Sequence, residues 1–273
     1  MVCMYIKNAG RGYMVVTGCQ NQLIDVCVSL NRMWQIGQTT GFPVATVAGC
    51  AFLVLSACGF DHATTGPMQQ EPVSIDLGSA ERANVELDLG AGEMNVHGGA
   101  NKLIEGNVEY NVTAWKPIIR NSVSGSHATV TIQQPHNVPF GGNTHYTWDF
   151  GVNNKVLLDL TLHCGAGKAV LDLGDLNLRD VAVHMGAGQV DLDLRGKPSR
   201  DYDVDISGGV GQATVRLPEN VGVRAEAHGG LGSVTVTGLE KKGDHWENNL
   251  YDGAKVNVRL KVSGGIGEIR IIG

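Results

Sequence analysis

The chain has 273 residues, a formal net charge of −6, 38 glycines and only 5% aromatic residues. The acidic balance and the absence of Lys/Arg clusters exclude a nucleic-acid-binding protein. Hydrophobic residues make up 42% of the chain and alternate with polar ones in short runs, which indicates a folded all-β protein and argues against a disordered chain.

The first element in chain order is an uncharged apolar run at residues 44–57, which ends at Cys58. The run is shorter than the about 20 apolar residues of a transmembrane helix and fits the apolar core of a signal peptide. The tetrad Leu55-Ser56-Ala57-Cys58 resembles a bacterial lipobox, in which the cysteine is lipidated. A plain cleaved signal or an uncleaved anchor is the alternative.

A signal peptide starts with a short basic segment, and here only Arg32 lies close before the apolar run. Translation from Met33, or from just before Arg32, would give the signal its usual length. We therefore predict a signal or mis-assigned N-terminus at residues 1–57. A flexible lipid-anchored linker, rich in Thr, Gly, Gln and Pro, is predicted at residues 58–74.

The remaining residues, 75–273, contain a Gly-x-Gly step six times, with central spacings of 21, 23 and 21 residues. In every copy, apolar residues stand seven and five positions before the second glycine and two and four positions after it. This alternation predicts two half-buried strand segments on either side of a corner, with glycines that permit the bend. The corner glycines are Gly90, Gly92, Gly165, Gly167, Gly186, Gly188, Gly209, Gly211, Gly230, Gly232, Gly265 and Gly267.

These repeats predict a single-stranded β-solenoid, similar to a parallel β-helix, with about 21–23 residues per coil. Further apolar pairs between copies, Leu176/Leu178 and Val221/Val223, predict a third short strand and a triangular cross-section. The residue between the two glycines is apolar in all copies, and we expect it to point inward. A dinucleotide-binding loop is disfavoured because a strand pattern, and no helix, follows each copy.

Two insertions interrupt the solenoid, at residues 99–155 and 239–255. Strand-like runs in the long one predict irregular coils or an antiparallel sheet that caps one end, and the short one predicts an exposed loop or hairpin. The candidate ligand contacts lie in these insertions, because their aromatic side chains suit sugar rings or a partner protein; buried cap residues are the alternative. They are Trp115, Trp148, Trp246 and Tyr251.

Two polar columns follow from the register of the repeats. His163 and His184 are expected to be neighbours on stacked coils, yet no third ligand follows, so we predict no metal and no cofactor. Cys164, next to His163, is interpreted as a small apolar core residue and not as a nucleophile. The second column places Asp172 beside Asp193.

The second column, together with Asp191, suggests an acidic face such as a polysaccharide lyase or glycosidase would use. Lys168 and Arg216 are the basic residues near it, but they match no lyase pattern. Solvated carboxylates partly offset by Arg216 are the preferred interpretation.

Several motifs together resemble the toast-rack family of bacterial envelope proteins, which is related to the extracytoplasmic part of LiaF-like stress proteins and to adhesin-like β-solenoids. The resemblance implies the fold and an envelope location over most of residues 75–273, and it carries no catalytic residues. Its motifs are Trp148-Asp149-Phe150, Asn153-Asn154, Leu158-Asp159-Leu160, Gly165-Ala166-Gly167, Leu171-Asp172-Leu173, Leu176 to Leu178 and Gly186-Ala187-Gly188.

The sequence thus predicts a non-catalytic envelope lipoprotein that acts as a binding, adhesion or scaffold module, with a link to envelope stress. A carbohydrate-active enzyme is the alternative. The expected partners are the membrane, through lipid on Cys58, and an envelope protein or glycan. Self-association is expected at the solenoid ends, above all at the C-terminal coil, where Ile269 to Ile272 form an apolar strand.

Overall fold

The computed structural model describes residues 64–135 and 142–273, together with residues 13–14 and 28–29. The chain divides into two compact units, Met1–Asp61 and His62–Gly273. In the first, β1 (Tyr13–Met14) pairs antiparallel with β2 (Val28–Ser29). The predicted signal and Cys58 otherwise lie outside the described residues. None of the described helical segments has the length and apolar character of a membrane span.

The second unit is a single sheet of 13 strands. Its elements are β3 (Gln69–Ile75), β4 (Arg82–Gly98), β5 (Ile104–Tyr110), a 3-10 turn (Thr113–Trp115), β6 (Ile118–Ser124), β7 (His127–Gln133), β8 (Tyr146–Val152), β9 (Leu157–Asp172), β10 (Leu178–Asp193), β11 (Tyr202–Arg216), β12 (Gly222–Thr237), β13 (Glu240–Lys242), β14 (His245–Glu247) and β15 (Asn257–Ile272). The fold is therefore all-β, as predicted.

The solenoid consists of six long strands, one for each Gly-x-Gly copy, that stack in parallel and in register. Gly188 lies opposite Gly167 on one side and opposite Gly211 on the other. At Gly188 the backbone has φ 140°, and a Cβ there would overlap the carbonyl oxygen of Gly167. Only glycine satisfies both conditions, so the predicted corner role is confirmed at this position.

The residue between the two glycines points outward, so the inward prediction is wrong. Val210, Leu231 and Ile266 are 54%, 71% and 53% exposed. The residue before the first glycine points inward instead, as Leu89 and Met185 show. We call the strand segment before each Gly-x-Gly step the first arm and the segment after it the second arm. The inward and outward alternation of side chains switches at the first glycine. The middle residue therefore already follows the alternation of the second arm.

The third side of each coil is a turn and not a strand, which corrects the prediction of three strands per repeat. Between β9 and β10, Leu173 and Leu176 are buried, and the amide of Leu176 donates to the carbonyl of Leu173. Their apolar spacing reflects a tight turn that inserts two leucines into the core. Apolar pairs alone do not distinguish such a turn from a strand.

The spatial order of the coils differs from their order in the sequence. The strands stack as β4, β9, β10, β11, β15, β12, so the C-terminal strand fills a gap between β11 and β12. Ile271, for example, pairs with Val215 on one side and Val236 on the other. The prediction that the C-terminal coil is an open edge is therefore wrong, and the end of the stack is β12.

Both insertions are β-structure. In the long one, β5 pairs antiparallel with β8 and β3, while β6 and β7 form a hairpin; β7 and β8 then pair with the two halves of β4. This confirms a cap with antiparallel strands at the β4 end. The short insertion is the predicted hairpin, β13–β14. Because β3 begins at Gln69, the folded domain includes residues that were predicted as linker.

Candidate binding surface

The outward face of the first arms carries a ladder of charges that changes sign along the stack. Five residues occupy one register column: Asp159, Asp180, Asp203, Arg259 and Arg224. The guanidinium of Arg259 donates to both carboxylate oxygens of Asp203. At the other end of the column, the neighbouring side chain of Arg179 holds Asp159 in the same bidentate way.

Asp180 is the exception within this ladder, since its exposed side chain has no hydrogen-bond or ion-pair partner among the described residues and stands between two carboxylates. Burial raises the pKa of Asp180, the negative charges of Asp159 and Asp203 raise it further, and Arg179 lowers it. Its exposed carboxylate has no donor from the described residues and is therefore accessible to hydroxyl groups or to a cation.

A groove of about 410 Å³ opens beside this carboxylate. Its lining includes Asp180, Asp203, Arg224, Arg259 and the half-buried ring of Tyr251. We call it the Tyr251 groove. It combines one aromatic face with hydrogen-bonding groups of both signs.

Tyr251 is held in place through Asn248. The Asn248 side chain accepts from the amides of Val223 and Tyr251 at 3.0 and 3.1 Å, and it donates to the carbonyl of Val221 at 2.7 Å. These bonds tie the segment after β14 to the start of β12. The aromatic wall of the groove is therefore supported by strand backbone and is not carried on a free loop.

The histidine column is as the sequence predicts, because His163 and His184 stack with ring centroids 4.8 Å apart. His184 Nδ1 lies 2.7 Å from Ser207 Oγ, and the pair borders a shallow groove of about 460 Å³. Among the residues that the structure describes, no group of three or more His, Cys, Asp or Glu is arranged to hold a metal ion. The column thus combines one stacked pair of imidazoles with one hydrogen bond from imidazole to hydroxyl.

Two of the three carboxylates of the acidic face are paired with arginines, while the third, Asp172, is exposed. Asp191 pairs with Arg216, and Asp193 forms a bidentate pair with Arg195. Hydrogen bonds from Arg195 lower the pKa of Asp193. A glycosidase acid needs the opposite, a raised pKa, so this pairing disfavours the enzyme alternative.

The thiol of Cys164 is buried, and burial raises its pKa to about 11. A thiol with so high a pKa stays protonated at neutral pH and is a weak nucleophile. This agrees with its interpretation as a small core residue.

Two of the four aromatic candidates are cap residues and not ligand contacts. Trp115 and Trp148 are 1% and 0% exposed, and both pack edge-on against Tyr146. The ligand prediction is wrong for them because both side chains are buried in the core of the cap. Trp246 is half-buried with Lys241 Nζ 5.3 Å from its ring centre, whereas Tyr251 lines the groove described above.

The charged ladder was missed in the sequence, although a signal for it exists. Each member stands eight residues before the second glycine of its copy, as Asp180 does before Gly188 and Arg259 before Gly267. Comparing that column across the repeats would have shown the change from acidic to basic residues. The partner of each charge could not have been read in this way, because Arg259 reaches Asp203 only through the insertion of β15.

The fold and these surfaces agree with two family models. The N-terminal domain of toast_rack matches residues 64–216, which is more than half of the chain. The chain belongs to the toast_rack family. A second model, described as cell wall-active antibiotics response LiaF, C-terminal, matches residues 167–271 of this toast_rack protein. No curated protein matches it.

Solved structures also resemble this toast_rack chain. A candidate cell adhesion protein from Clostridium sporogenes has 29% identity and a TM-score of 0.70, over 76% of this chain and 99% of its own. A candidate adhesin from Bacteroides fragilis has 11% identity and a TM-score of 0.29, over 77% and 99%. The two family models and the first structure fit a non-catalytic module of the bacterial envelope or surface.

Proposed function

We propose that this toast_rack protein is a lipid-anchored, non-catalytic module that binds a glycan of the bacterial envelope in the Tyr251 groove. The observation that carries the glycan assignment is the exposed Asp180 carboxylate, which has no donor among the described side chains and lies in the same groove as an aromatic ring. Sugar rings present C–H faces that pack on aromatic rings and hydroxyl groups that donate to carboxylates.

The non-catalytic part of the proposal is supported by the state of the reactive groups on the described residues. Asp191 and Asp193 are paired with arginines, and the Cys164 thiol is buried. None of these three residues lines the Tyr251 groove. Binding is therefore the function that this surface suits best.

The glycan site is tested by titrating the full-length chain with purified cell-wall polysaccharide. Tyr251→Ala and Asp180→Asn are expected to weaken binding at least about ten-fold, since each removes one contact type worth about 1.4 kcal/mol. The matched control is Asp172→Asn, an exposed carboxylate on the other arm, and it should bind as the unmodified chain does. Equal binding by all three variants would sink the proposal.

Turnover of the same polysaccharide distinguishes binding from hydrolysis or elimination. We expect no new reducing ends or unsaturated sugars after prolonged incubation. Products whose release is abolished by Asp172→Asn or Asp193→Asn in a folded chain would show the enzyme alternative instead.

The lipid anchor has its own test, because it rests on the tetrad Leu55 to Cys58. Cells that express the chain are labelled with palmitate, and the label is expected on the unmodified chain and on Cys50→Ala but not on Cys58→Ala. Label that persists on Cys58→Ala contradicts the anchor.

The match to the LiaF C-terminal model supports a further part of the proposal, a role in the response to cell-wall damage. Cells without the gene are expected to be more sensitive to cell-wall antibiotics, and Tyr251→Ala should fail to restore resistance where Asp172→Asn succeeds. Unchanged sensitivity would remove the stress role and leave the binding assignment standing.

A further inference from the structure

The end of the solenoid leaves half of a strand uncovered. β15 pairs with β12 along its length, but on the other side β14 pairs only with Arg224 and Ala225. Residues 228–237 are exposed apart from Val236, which is half-buried. We call residues 229–237 the edge arm. Its outer row of backbone N–H and C=O groups faces no strand of the described chain.

The edge arm lacks the charges that normally protect such an edge. Soluble proteins place lysine, other charges or proline on edge strands because a bare edge pairs with other chains. From Ala227 to Leu239 this chain has no Asp, Glu, Lys or Arg. In the other five copies the corresponding arm carries at least one charge: Glu93, Lys168, Asp191, Arg216 and the pair Glu268 and Arg270. The single uncharged arm is thus the one at the end of the stack.

The remaining edges of the unit follow the usual rule. β3 contains Glu71 and Pro72, and β13 contains two lysines. β6 contains Arg120, although its Val123 is 48% exposed. The edge arm is therefore distinguished from every other edge among the described residues.

An apolar ridge continues the edge arm across the corner. Val210, Ile266 and Leu231 are in register on adjacent coils and are all more than half exposed. Val234, at the open end of the core, is 37% exposed. Exposed apolar residues that lie next to each other mark an interaction surface more often than scattered ones do.

We propose that the edge arm pairs antiparallel with the edge arm of a second copy of the chain around a two-fold axis. Such a pair sets uncharged strand against uncharged strand, so no charge is buried without a partner. In the register centred on Thr235, it also sets Val234 opposite Val236 of the second copy and Val236 opposite Val234, a favourable pairing of β-branched residues. Because both edges are consumed, assembly stops at the dimer.

Pairing of the edge arm with β6 of another copy is the rival arrangement. It would set an uncharged strand against Arg120, and it would leave a free edge at each end, so filaments would grow. The solution size of the assembly distinguishes the two arrangements directly.

The test is sedimentation equilibrium of the full-length chain in mild detergent, for the unmodified chain and three variants. Ser233→Lys/Thr235→Lys adds two cations to the exposed side of the edge arm. Gln212→Lys/Thr214→Lys is the matched control, since these residues occupy the same two register columns on an inner coil. Val123→Lys tests β6.

The unmodified chain and both controls should be dimers, while Ser233→Lys/Thr235→Lys should dissociate at least ten-fold more readily. Melting curves check that all variants are folded. A monomer at every accessible concentration, or a dimer that only Val123→Lys disrupts, would overturn the proposal.

Cysteine cross-linking provides a second measurement, which remains valid if the lysine variant does not fold. Ser233→Cys, Thr235→Cys and Thr237→Cys are oxidised separately, and at least one should give a covalent dimer, with Thr214→Cys giving none. No cross-link from any edge-arm cysteine contradicts the pairing. Glycan binding should be the same in all these variants, because the Tyr251 groove lies on the other arm, so the two proposals fail independently.

Discussion

The first three coils and the last three solve the same corner in opposite ways. In β4, β9 and β10 the residue before the corner is a buried Leu89, Cys164 or Met185, and alanine stands between the glycines. In β11, β15 and β12 a glycine stands before the corner, and Val210, Ile266 or Leu231 stands between the glycines and faces solvent. Compared with the first three coils, the last three therefore carry their large apolar side chain on the surface and not in the core.

The glycines before the corner of the last three coils leave space in the core. Beneath the corner of the last three coils lies an apolar cavity of about 40 Å³, lined in part by Met185, Ile206 and Val262. Gly208, Gly229 and Gly264, which occupy the position of Met185 in their coils, also line it. The comparison teaches that the glycine register fixes the path of the backbone, while the residues beside it decide which end of the solenoid is closed and which is prepared for contact.

Replacing a corner glycine should have the largest effect on stability, because all six coils depend on glycine at this position. Gly188→Ala forces a positive φ on a side-chain-bearing residue and drives its Cβ into the Gly167 carbonyl. We expect a loss of about 3 to 5 kcal/mol in the free energy of unfolding. Urea denaturation measures it, and a loss below about 1 kcal/mol would show that the corner adapts.

Truncating one apolar corner residue in the first three coils and one in the last three tests whether the first is buried and the second exposed. Met185→Ala removes a buried side chain and should destabilise by about 2 to 3 kcal/mol, while Leu231→Ala, at an exposed position, should change stability by less than about 0.5 kcal/mol. The comparison is made by urea denaturation at low protein concentration, so that association does not contribute. Equal losses would contradict the outward orientation of Leu231.

The pH dependence of stability distinguishes Asp193, whose pKa is lowered in the folded chain, from Asp180, whose pKa is raised. Asp193 has a lowered pKa, so its contribution is present above the unfolded value of about 3.9 and is lost as the pH falls through the folded value. Asp193→Asn should therefore destabilise the chain at pH 7, by no more than about 1 kcal/mol, and the difference should vanish in acid.

Asp180 has a raised pKa, so its ionised form disfavours folding, and this disadvantage grows as the pH rises through the folded value. Asp180→Asn should be slightly more stable than the unmodified chain at pH 7 and equal to it below about pH 3.9. Thermal melts from pH 3 to 8 measure both variants, and the same sign for both would contradict these environments.

A small effect of the opposite sign is expected from adding a methyl group beside the cavity. A Cβ added at Gly208 would meet nothing nearer than the Met185 carbonyl oxygen at 3.8 Å. Gly208→Ala should therefore stabilise by about 0.5 to 1 kcal/mol, because it reduces the freedom of the unfolded chain without strain. It is the counterpart of Gly188→Ala, and destabilisation by Gly208→Ala would show that the last three corners need glycine for another reason.

The sequence predicted those features that depend on register alone. The spacing of the glycines placed His163 beside His184 and Gly188 between Gly167 and Gly211, and the structure has all of these pairs. Strand-like runs also indicated the strands of the long insertion. Such local signals are enough to predict a contact wherever residues at the same position of successive repeats lie on adjacent coils.

The order of the coils could not be predicted in the same way. Each copy presents the same columns, so any copy can stack on any other, and nothing in the spacing requires β15 to enter between β11 and β12. Within the candidate site, Tyr251 was identified, but its partner Asp180 was not, because a groove on the outer face depends on that insertion. The missing charges between Ala227 and Leu239 were the one signal for the true end of the stack.

Amide hydrogen exchange at two protein concentrations tests the central claim, that the solenoid is closed at one end and left to be covered at the other. The amides of Val234 and Val236 are compared with those of Ile269 and Ile271, which occupy the same columns on β15 between two strands. We predict that the β15 amides exchange slowly at both concentrations, and that the β12 amides exchange slowly only at the higher one. Equal protection of the β12 amides at both concentrations, fast or slow, would contradict the account.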